Sequence, residues 1–175
     1  MPRLEIVHKH QTRLNDCWYA CIQMIRTWKH DGAKTKAVGA GVRAHRGRGL
    51  FGGGFWGWTL GKHSPQWQAI LDENELIDVG WDVGTNACAS VQHYVDQYGP
   101  LIVGGDFGKV GRLPGTSKHV LTEQGHYIVV AGTSGASDIV HVNDPWHTRP
   151  TDMAFTEFRR LIWLDGIKTI VANAP

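Results

Sequence analysis

A run of apolar residues from Tyr127 to Ala131 constrains the fold of this chain more than any other feature. Because neither face of such a strand suits water, the strand has to lie inside a sheet that is covered on both sides. Gly132 to Ser137 is typical of a turn, and Ile139 to Asn143 has the composition of a second strand. The sequence therefore predicts an antiparallel hairpin, with His126 beginning its first strand and Asp144 directly following its second.

A helix is predicted from Cys17 onward. Asn15 and Asp16 are good cap residues, and the segment from Lys29 to Gly32 ends the pattern. A cysteine in the first turn of a helix lies where unpaired N–H groups and the helix dipole favour a thiolate. The apolar positions fall at helical spacing and form one buried stripe, made of Trp18, Cys21, Ile22, Ile25 and Trp28.

The remaining pattern predicts helices first and an antiparallel sheet afterwards, which is an α+β arrangement. The Gly/Trp-rich segment 45–58 has no periodicity and is interpreted as a substrate-facing or packed loop, ahead of a phosphate loop or a nucleic-acid stacking surface. The other predicted elements are an extended lead-in over Leu4–Val7, a helix from Ser64 or Pro65 with Trp67, Ile70 and Leu71 inside, a strand over Glu75–Val79, a helix capped by Thr85 or Asn86 and closed by Gly99-Pro100, a strand over Leu101–Val103, a loop over 104–118, a helix over Thr156–Arg160 and a strand over Ile167–Val171.

Length and charge narrow the class of protein. The 175 residues suit one domain spanning 1–175, large enough for a proper core. A formal charge of +2 argues against nucleic acid as a partner, and no run approaches the roughly 18 apolar residues of a membrane span. Met1 to Ile6 lack the parts of a signal peptide, so we expect a cytoplasmic protein in the producing cell. A specialised secretion system leaves no such mark, and delivery into target cells stays open.

The cysteines and the first histidines have simple interpretations. Cys17 and Cys21 lie one helical turn apart, which is poor disulfide geometry, so we expect all three cysteines to be reduced. Cys21 and Cys88 are expected to be inert core residues. His8 and His10 could bind a metal, but the absence of further ligands at metal spacing nearby favours a solvated loop. No metal and no cofactor are expected.

Cys17, His126 and Asp144 together suggest thiol-dependent catalysis. A thiol nucleophile needs a base, and that base needs a group that orients it. The predicted hairpin brings His126 and Asp144 to one edge of the sheet, and Gln11 is near enough to Cys17 to offer an amide donor to an oxyanion. Each residue also has an ordinary interpretation: an inert core cysteine, a hydrogen-bonded core histidine, and a turn cap before Pro145.

The segment Asp16-Cys-Trp-Tyr-Ala-Cys-Ile-Gln-Met24 resembles the active-site helix of the papain-like avirulence-effector cysteine proteases of plant-associated bacteria. More distantly, it resembles the peptidases that cleave double-glycine leaders from bacteriocins. The resemblance covers about two thirds of the chain and implies a papain-like fold, in which an N-terminal helix carrying the cysteine packs on a C-terminal antiparallel sheet carrying His and Asp. The other matching blocks are Tyr98–Val103, Gly125–Gly132, Asn143–Pro145 and Phe155–Trp163.

The resemblance also implies an activity and assigns roles. Cys17 would be the nucleophile, His126 the base and later the acid, Asp144 the orienting group, and Gln11 an oxyanion donor together with the Cys17 backbone N–H. The implied function is a cysteine endopeptidase that cleaves a protein or peptide through a thioester, as a bacterial effector or toxin with a host or target-cell protein as partner. The gap from Gln11 to Cys17 is about one residue shorter than in the effectors, which weakens the assignment of Gln11.

Two other functions remain open at this stage. An amidase or deamidase acting on peptidoglycan or on a glutamine side chain would use the same Cys and His. A binding module that keeps the fold without the catalysis is the alternative from a different class. It has no physical need for Cys17, His126, Asp144 and Gln11 together, so the peptidase is favoured.

Overall fold

A computed structural model describes residues 3–11, 17–30, 65–79, 88–105, 107, 111–112, 119–120, 126–162 and 170–173. Three helices and one short strand come first in this part of the chain, and a run of six strands, one more helix and a final strand follow them. In order, they are α1 (Cys17–Lys29), α2 (Pro65–Glu73), β1 (Leu76–Asp78), α3 (Cys88–Tyr98), β2 (Leu101–Gly105), β3 (Gly111–Arg112), β4 (His119–Val120), β5 (His126–Ser134), a 3₁₀ turn (Gly135–Ser137), β6 (Ile139–Asn143), β7 (Thr151–Ala154), α4 (Phe155–Leu161) and β8 (Ile170–Asn173).

Six of the described strands form one antiparallel sheet in the order β1-β8-β2-β5-β6-β7. The described strands β3 and β4 form a separate two-stranded ribbon. The apolar strand β5 lies in the interior of the main sheet, between β2 and β6, as its composition requires. In its register, Gly105 of β2 lies opposite His126 of β5, and Val129 of β5 lies opposite Asn143 of β6.

The alternation of side chains along β5 divides the core into two layers. Tyr127 and Val129 belong to the cluster that contains helix α1, while Ile128 and Val130 belong to the cluster that contains α3 and α4. Successive residues of a strand point to opposite faces, so both faces of the sheet are covered by helices. Helix α1 contributes Trp18, Cys21, Ile22, Met24 and Ile25 to its layer, and α3 and α4 contribute Cys88, Val91, Val95, Phe155, Phe158 and Leu161 to theirs.

This architecture confirms the predicted α+β, papain-like fold, with Cys17 on an N-terminal helix that packs on the sheet. The predicted strand over Ile139–Asn143 has the bounds of β6. Cys21 and Cys88 are buried in the core, and all three cysteines are free, as expected. Leu71 of α2 is also buried, in agreement with the predicted inner face of that helix.

Three predictions need correction. The turn predicted over Gly132–Ser137 is shorter, because β5 continues to Ser134 and absorbs an irregularity between Val130 and Gly132. The segment 104–118 is not wholly a loop, since β2 runs to Gly105 and β3 pairs with β4. His8 and His10 do not lie in a solvated loop: both are half-buried, because the N-terminal segment packs against the body of the protein.

Other predicted features lie outside the described residues. These are the caps Asn15 and Asp16, the segment 45–58, Ser64, Thr85 and Asn86, the start of the strand predicted over Ile167–Val171, and the side chains of Trp67 and Ile70.

The backbone of Gly105 is packed so closely that even a methyl side chain would not fit, and this predicts a loss of stability on substitution. A Cβ atom there would lie 2.5 Å from the Leu161 carbonyl oxygen, 2.5 Å from Phe107 Cε2 and 3.0 Å from Ile162 Cα. We expect Gly105→Ala to lower the free energy of unfolding by about 1–3 kcal/mol, since overpacking displaces backbone. Gly135→Ala is the control, because nothing lies within 4 Å of its Cβ position. Urea unfolding of both variants measures the difference, and equal stabilities would contradict the prediction.

Candidate active site

Cys17 is the first residue of α1 and lies in the core layer that α1 shares with β5, with 8 % of the residue exposed. Its side chain lies beside the ring of His126, the first residue of β5, and it helps to raise the pKa of that imidazole. A thiol at a helix N-terminus and beside an imidazole has two sources of stabilisation for a thiolate. The fold thus places the predicted nucleophile and the predicted base in contact.

His126 is held between Cys17 and Asp144. Its Nε2 atom lies 2.6 Å from Asp144 Oδ1, and both residues are buried. Since Nε2 faces the carboxylate, Nδ1 is the ring nitrogen left for the thiol. Burial alone would lower the pKa of His126, but the hydrogen bonds to Asp144 and Cys17 and their charges outweigh it and raise the pKa to about 10. The imidazolium form is therefore favoured at neutral pH.

The charge on Asp144 is stabilised in the same way. Burial opposes ionisation of the carboxyl, but the hydrogen bond and charge of His126, with a backbone N–H, hold its pKa below the ordinary value. The two partners therefore carry opposite charges. Cys17, His126 and Asp144 form a continuous line, in which the ring of His126 lies between the Cys17 side chain and the Asp144 carboxylate.

A tight turn fixes the Asp144 carboxylate. Asp144 Oδ1 accepts a hydrogen bond of 2.8 Å from the Trp146 backbone N–H, and the Asp144 carbonyl accepts one of 3.0 Å from the His147 N–H. Aspartate at the first position and proline at the second are favoured in such turns, because the side chain caps the backbone and proline presets its dihedral angle. The dipeptide Asp144-Pro145 therefore ends strand β6 and aims its carboxylate at the same time.

Two neighbours of this turn complete the surroundings of the His–Asp pair. The Trp146 ring lies edge-on to His126, with ring centroids 6.4 Å apart. His147 Nε2 lies 3.5 Å from Asp144 Oδ2, the carboxylate oxygen that His126 does not use. Trp146 helps to exclude water from the His126–Asp144 pair. His147 provides a solvent-exposed imidazole beside the Asp144 carboxylate.

Gln11 is brought to the same region. It is 2 % exposed, and its backbone N–H donates a hydrogen bond of 2.9 Å to the Pro145 carbonyl. Residue 11 therefore lies beside the turn that aims Asp144. An oxyanion role for its side chain stays a prediction.

The other cysteines and a tyrosine near the site do not share the activation of the His–Asp pair. Burial, followed by the nearby charges of Cys17 and Asp144, raises the pKa of Cys21 well above its ordinary value. Burial also raises the pKa of Tyr127, with smaller contributions from Cys17 and Cys21. Burial and Asp138 raise the pKa of Cys88 to about 11. Neutral thiols are poor nucleophiles, so Cys21 and Cys88 act as packing residues.

The described residues hold no group of three or more His, Cys, Asp or Glu placed to bind a metal ion. Among the helices that the structure describes, none is long and apolar enough to cross a membrane.

The structure brings together Cys17, His126 and Asp144, and it puts Gln11 beside the turn that follows Asp144. Sequence reasoning missed the other groups at this turn: Arg3, Asn143, Trp146 and His147. The Asp-Pro pair could have indicated the capping bond from the Trp146 N–H, because that bond is local. Nothing local in the sequence indicates that Arg3 reaches this turn.

A helix with an N-terminal cysteine, packed on an antiparallel sheet that carries a histidine and an aspartate, defines a papain-like cysteine peptidase fold. The family model described as the Peptidase_C39 like family matches residues 4–165, and the chain belongs to this family. Family membership supports a cysteine peptidase function in general. No curated protein matched the chain.

Proposed function

We propose that this protein is a cysteine endopeptidase, formed by a single domain over 1–175, with Cys17 as nucleophile, His126 as base and acid, and Asp144 as the orienting group. The observation that carries the proposal is the line of contacts from the Cys17 side chain through the His126 ring to Asp144. In this line, His126 Nε2 lies 2.6 Å from Asp144 Oδ1. This is the geometry that an activated thiol requires, a base in contact with the nucleophile and a third group that orients the base.

In the proposed reaction, the Cys17 sulfur, as the thiolate, attacks the carbonyl carbon of the scissile peptide and forms the C–S bond. The resulting oxyanion is stabilised by the Cys17 backbone N–H and by the Gln11 amide. The C–N bond then breaks as His126 transfers its proton to the leaving amine. His126 next takes a proton from water, whose oxygen attacks the thioester. Expulsion of the thiolate breaks the C–S bond and releases the carboxylic acid, which loses its proton to solvent, while Cys17 and His126 return to their starting thiolate and imidazolium forms. Asp144 holds the ring and stabilises the imidazolium.

The partner and setting belong to the same proposal. The substrate is a protein or peptide of a host or target cell, and the protein acts as a bacterial effector or toxin, as the resemblance to the avirulence effectors suggests. The competing function is an amidase or deamidase, which would use the same thioester chemistry on peptidoglycan or on a glutamine side chain. Its support is the same contact between Cys17 and His126.

Trapping the acyl-enzyme tests the proposal. We expect labelled casein or labelled peptides to form a thioester on Cys17 and to be cleaved at internal peptide bonds. The thioester should form first, because the Cys17 sulfur attacks the peptide carbonyl and water attacks only the thioester. Intact-protein mass spectrometry detects the adduct, and Cys17→Ala should reduce both signals to background. Cys88→Ala is the matched control, since that thiol is buried and its pKa is raised. An adduct from muropeptides or glutamine donors, with none from casein, would instead establish the amidase or deamidase.

A further inference from the structure

The N-terminal segment, residues 3–11, lies against strands β5 and β6 and against the turn that follows Asp144. It begins on β5, where the Leu4 N–H donates to the Ala131 carbonyl over 2.8 Å. It ends at the buried residue Gln11, six positions before Cys17 in the sequence. The segment therefore spans from the central strand to the candidate active site.

Most of its polar contacts fall on residues 142–147, which we call the Asp144 loop. Arg3 Nη2 donates to the Val142 carbonyl and to Asn143 Oδ1, each over 3.1 Å. Asn143 Nδ2 donates to the Ile6 carbonyl over 3.5 Å. Arg3 and Ile6 thus hold Asn143, the residue immediately before Asp144, from its two amide ends.

The other side of Asp144 is held from the same segment. The Gln11 N–H donates to the Pro145 carbonyl over 2.9 Å, and His8 Nε2 lies 2.8 Å from the His147 carbonyl. Contacts of the segment therefore reach the Asp144 loop both before and after Asp144. Within these contacts the Asp144 carboxylate is not used, and it stays available to His126.

Arg3 is distinguished among these contacts, because one guanidinium group bridges two acceptors on the loop. Its other terminal nitrogen, Nη1, lies 3.5 Å from Asp152 Oδ1, with 31 % of the Arg3 side chain and 57 % of the Asp152 side chain exposed. An exposed ion pair of that length contributes little to stability. The ion pair with Asp152 therefore does not account for Arg3, whereas its Nη2 atom holds two acceptors of the loop at fixed positions.

We propose that Arg3 is a positioning residue of the peptidase, which acts through Asn143 to hold Asp144 in line with His126. The inference rests on the proposed function for the consequence in catalysis. The position of Asp144 controls the orientation of the His126 ring, and the ring has to meet both the thiol and the leaving group. Small displacements at such a site are costly, since reaction requires near-attack geometry.

Inactivation of the full chain by a peptidyl chloromethyl ketone tests the role of Arg3. The rate constant kinact reports the reactivity of the site, and KI reports binding. We expect Arg3→Ala to lower kinact by about tenfold with KI unchanged, because the Asp144 loop loses both guanidinium contacts. Arg3→Lys should restore part of kinact, since an ammonium can donate to the same acceptors but lacks the planar geometry of the guanidinium. Asp152→Asn and Arg160→Ala are the controls and should leave kinact unchanged, as both residues are exposed.

A second readout does not depend on peptidase activity. The ¹⁵N chemical shifts of the His126 ring report its protonation and hydrogen bonding, and we expect them to change in Arg3→Ala and in Asn143→Ala. The effects of the two substitutions should add to less than their sum in the double variant, because both remove the contact between Arg3 and Asn143. If Arg3→Ala fails to fold, Arg3→Lys carries both readouts.

The outcomes separate this inference from the proposed function. A kinact within twofold of the parent, together with unchanged ¹⁵N shifts, overturns the role of Arg3 while a reactive parent keeps the peptidase proposal. A parent that neither reacts nor cleaves defeats the peptidase proposal. In that case, the ¹⁵N shifts still decide whether Arg3 positions the His126–Asp144 pair.

Discussion

Replacing His126 with alanine should remove the fast reaction of Cys17 and reduce peptide cleavage at least about a thousandfold. In the parent, the imidazolium of His126 lies against the thiol, and its pKa is raised to about 10. A cation beside a thiol favours attack by the sulfur, so the proposed Cys17–His126 pair predicts fast alkylation of the parent at acidic pH as well. The variant loses both the cation and the proton carrier, so its alkylation profile should become that of an ordinary thiol.

The measurement is the rate of Cys17 alkylation by iodoacetamide between pH 4 and 10, followed by peptide mapping. Cys21 and Cys88 serve as internal references, since both are buried and their pKa values are raised. His93→Ala is the control variant, because His93 is exposed on α3. If parent and His126→Ala share one ordinary thiol profile, the peptidase proposal fails, and the chain is better regarded as a binding module on this fold.

Removing the charge of Asp144 should shift the alkaline limit of activity to lower pH. The carboxylate helps to raise the pKa of His126, against a burial effect of opposite sign. Without the carboxylate, burial lowers that pKa, so the imidazolium and its ion pair with the thiolate are lost at a lower pH. We expect Asp144→Ala to lower kcat about a hundredfold at neutral pH. Asp144→Asn should lower it less, because the amide oxygen can still accept the Trp146 N–H.

Rates of peptide hydrolysis across the pH range, with an NMR titration of His126, measure this shift. Asp96→Asn provides the comparison, since Asp96 is an exposed carboxylate on α3. An alkaline limit that stays in place in both Asp144 variants would show that the carboxylate does not control the charge of His126. It would leave Asp144 as a turn cap alone, the ordinary interpretation that the sequence allows.

The hairpin and the cysteine helix were predictable because their signals are local. The apolar run of β5 requires a covered interior strand, and Asp144-Pro145 ends β6 where the sequence changes. Strand β7 was not predicted, because its residues are half-buried or exposed and lack an apolar pattern. Such a strand is defined by pairing with β6, which is a tertiary interaction.

The contacts around the site were harder to predict for the same reason. The spacing of His126 and Asp144 across a hairpin fixes their proximity, and the structure agrees. Arg3 reaches Asn143 across 140 positions of sequence, and no periodicity or motif encodes a contact of that separation. Gln11 is an intermediate case: its burial beside Pro145 agrees with a place in the site, although the oxyanion role remains to be measured.

The attachment of the N-terminal segment to the Asp144 loop has a consequence for biosynthesis. The ribosome makes Arg3, Gln11 and Cys17 first, but their acceptors and the base follow more than a hundred residues later. Cys17, the proposed nucleophile, therefore emerges without His126 or Asp144, and the nascent chain has no assembled site with which to attack its neighbours. Contacts between residues so far apart in the sequence also form late in folding, because closing the long intervening loop costs chain entropy before the contact is gained. Under the proposed function, the protein can therefore cleave peptides only after residues 3–17 have packed against residues 126–147.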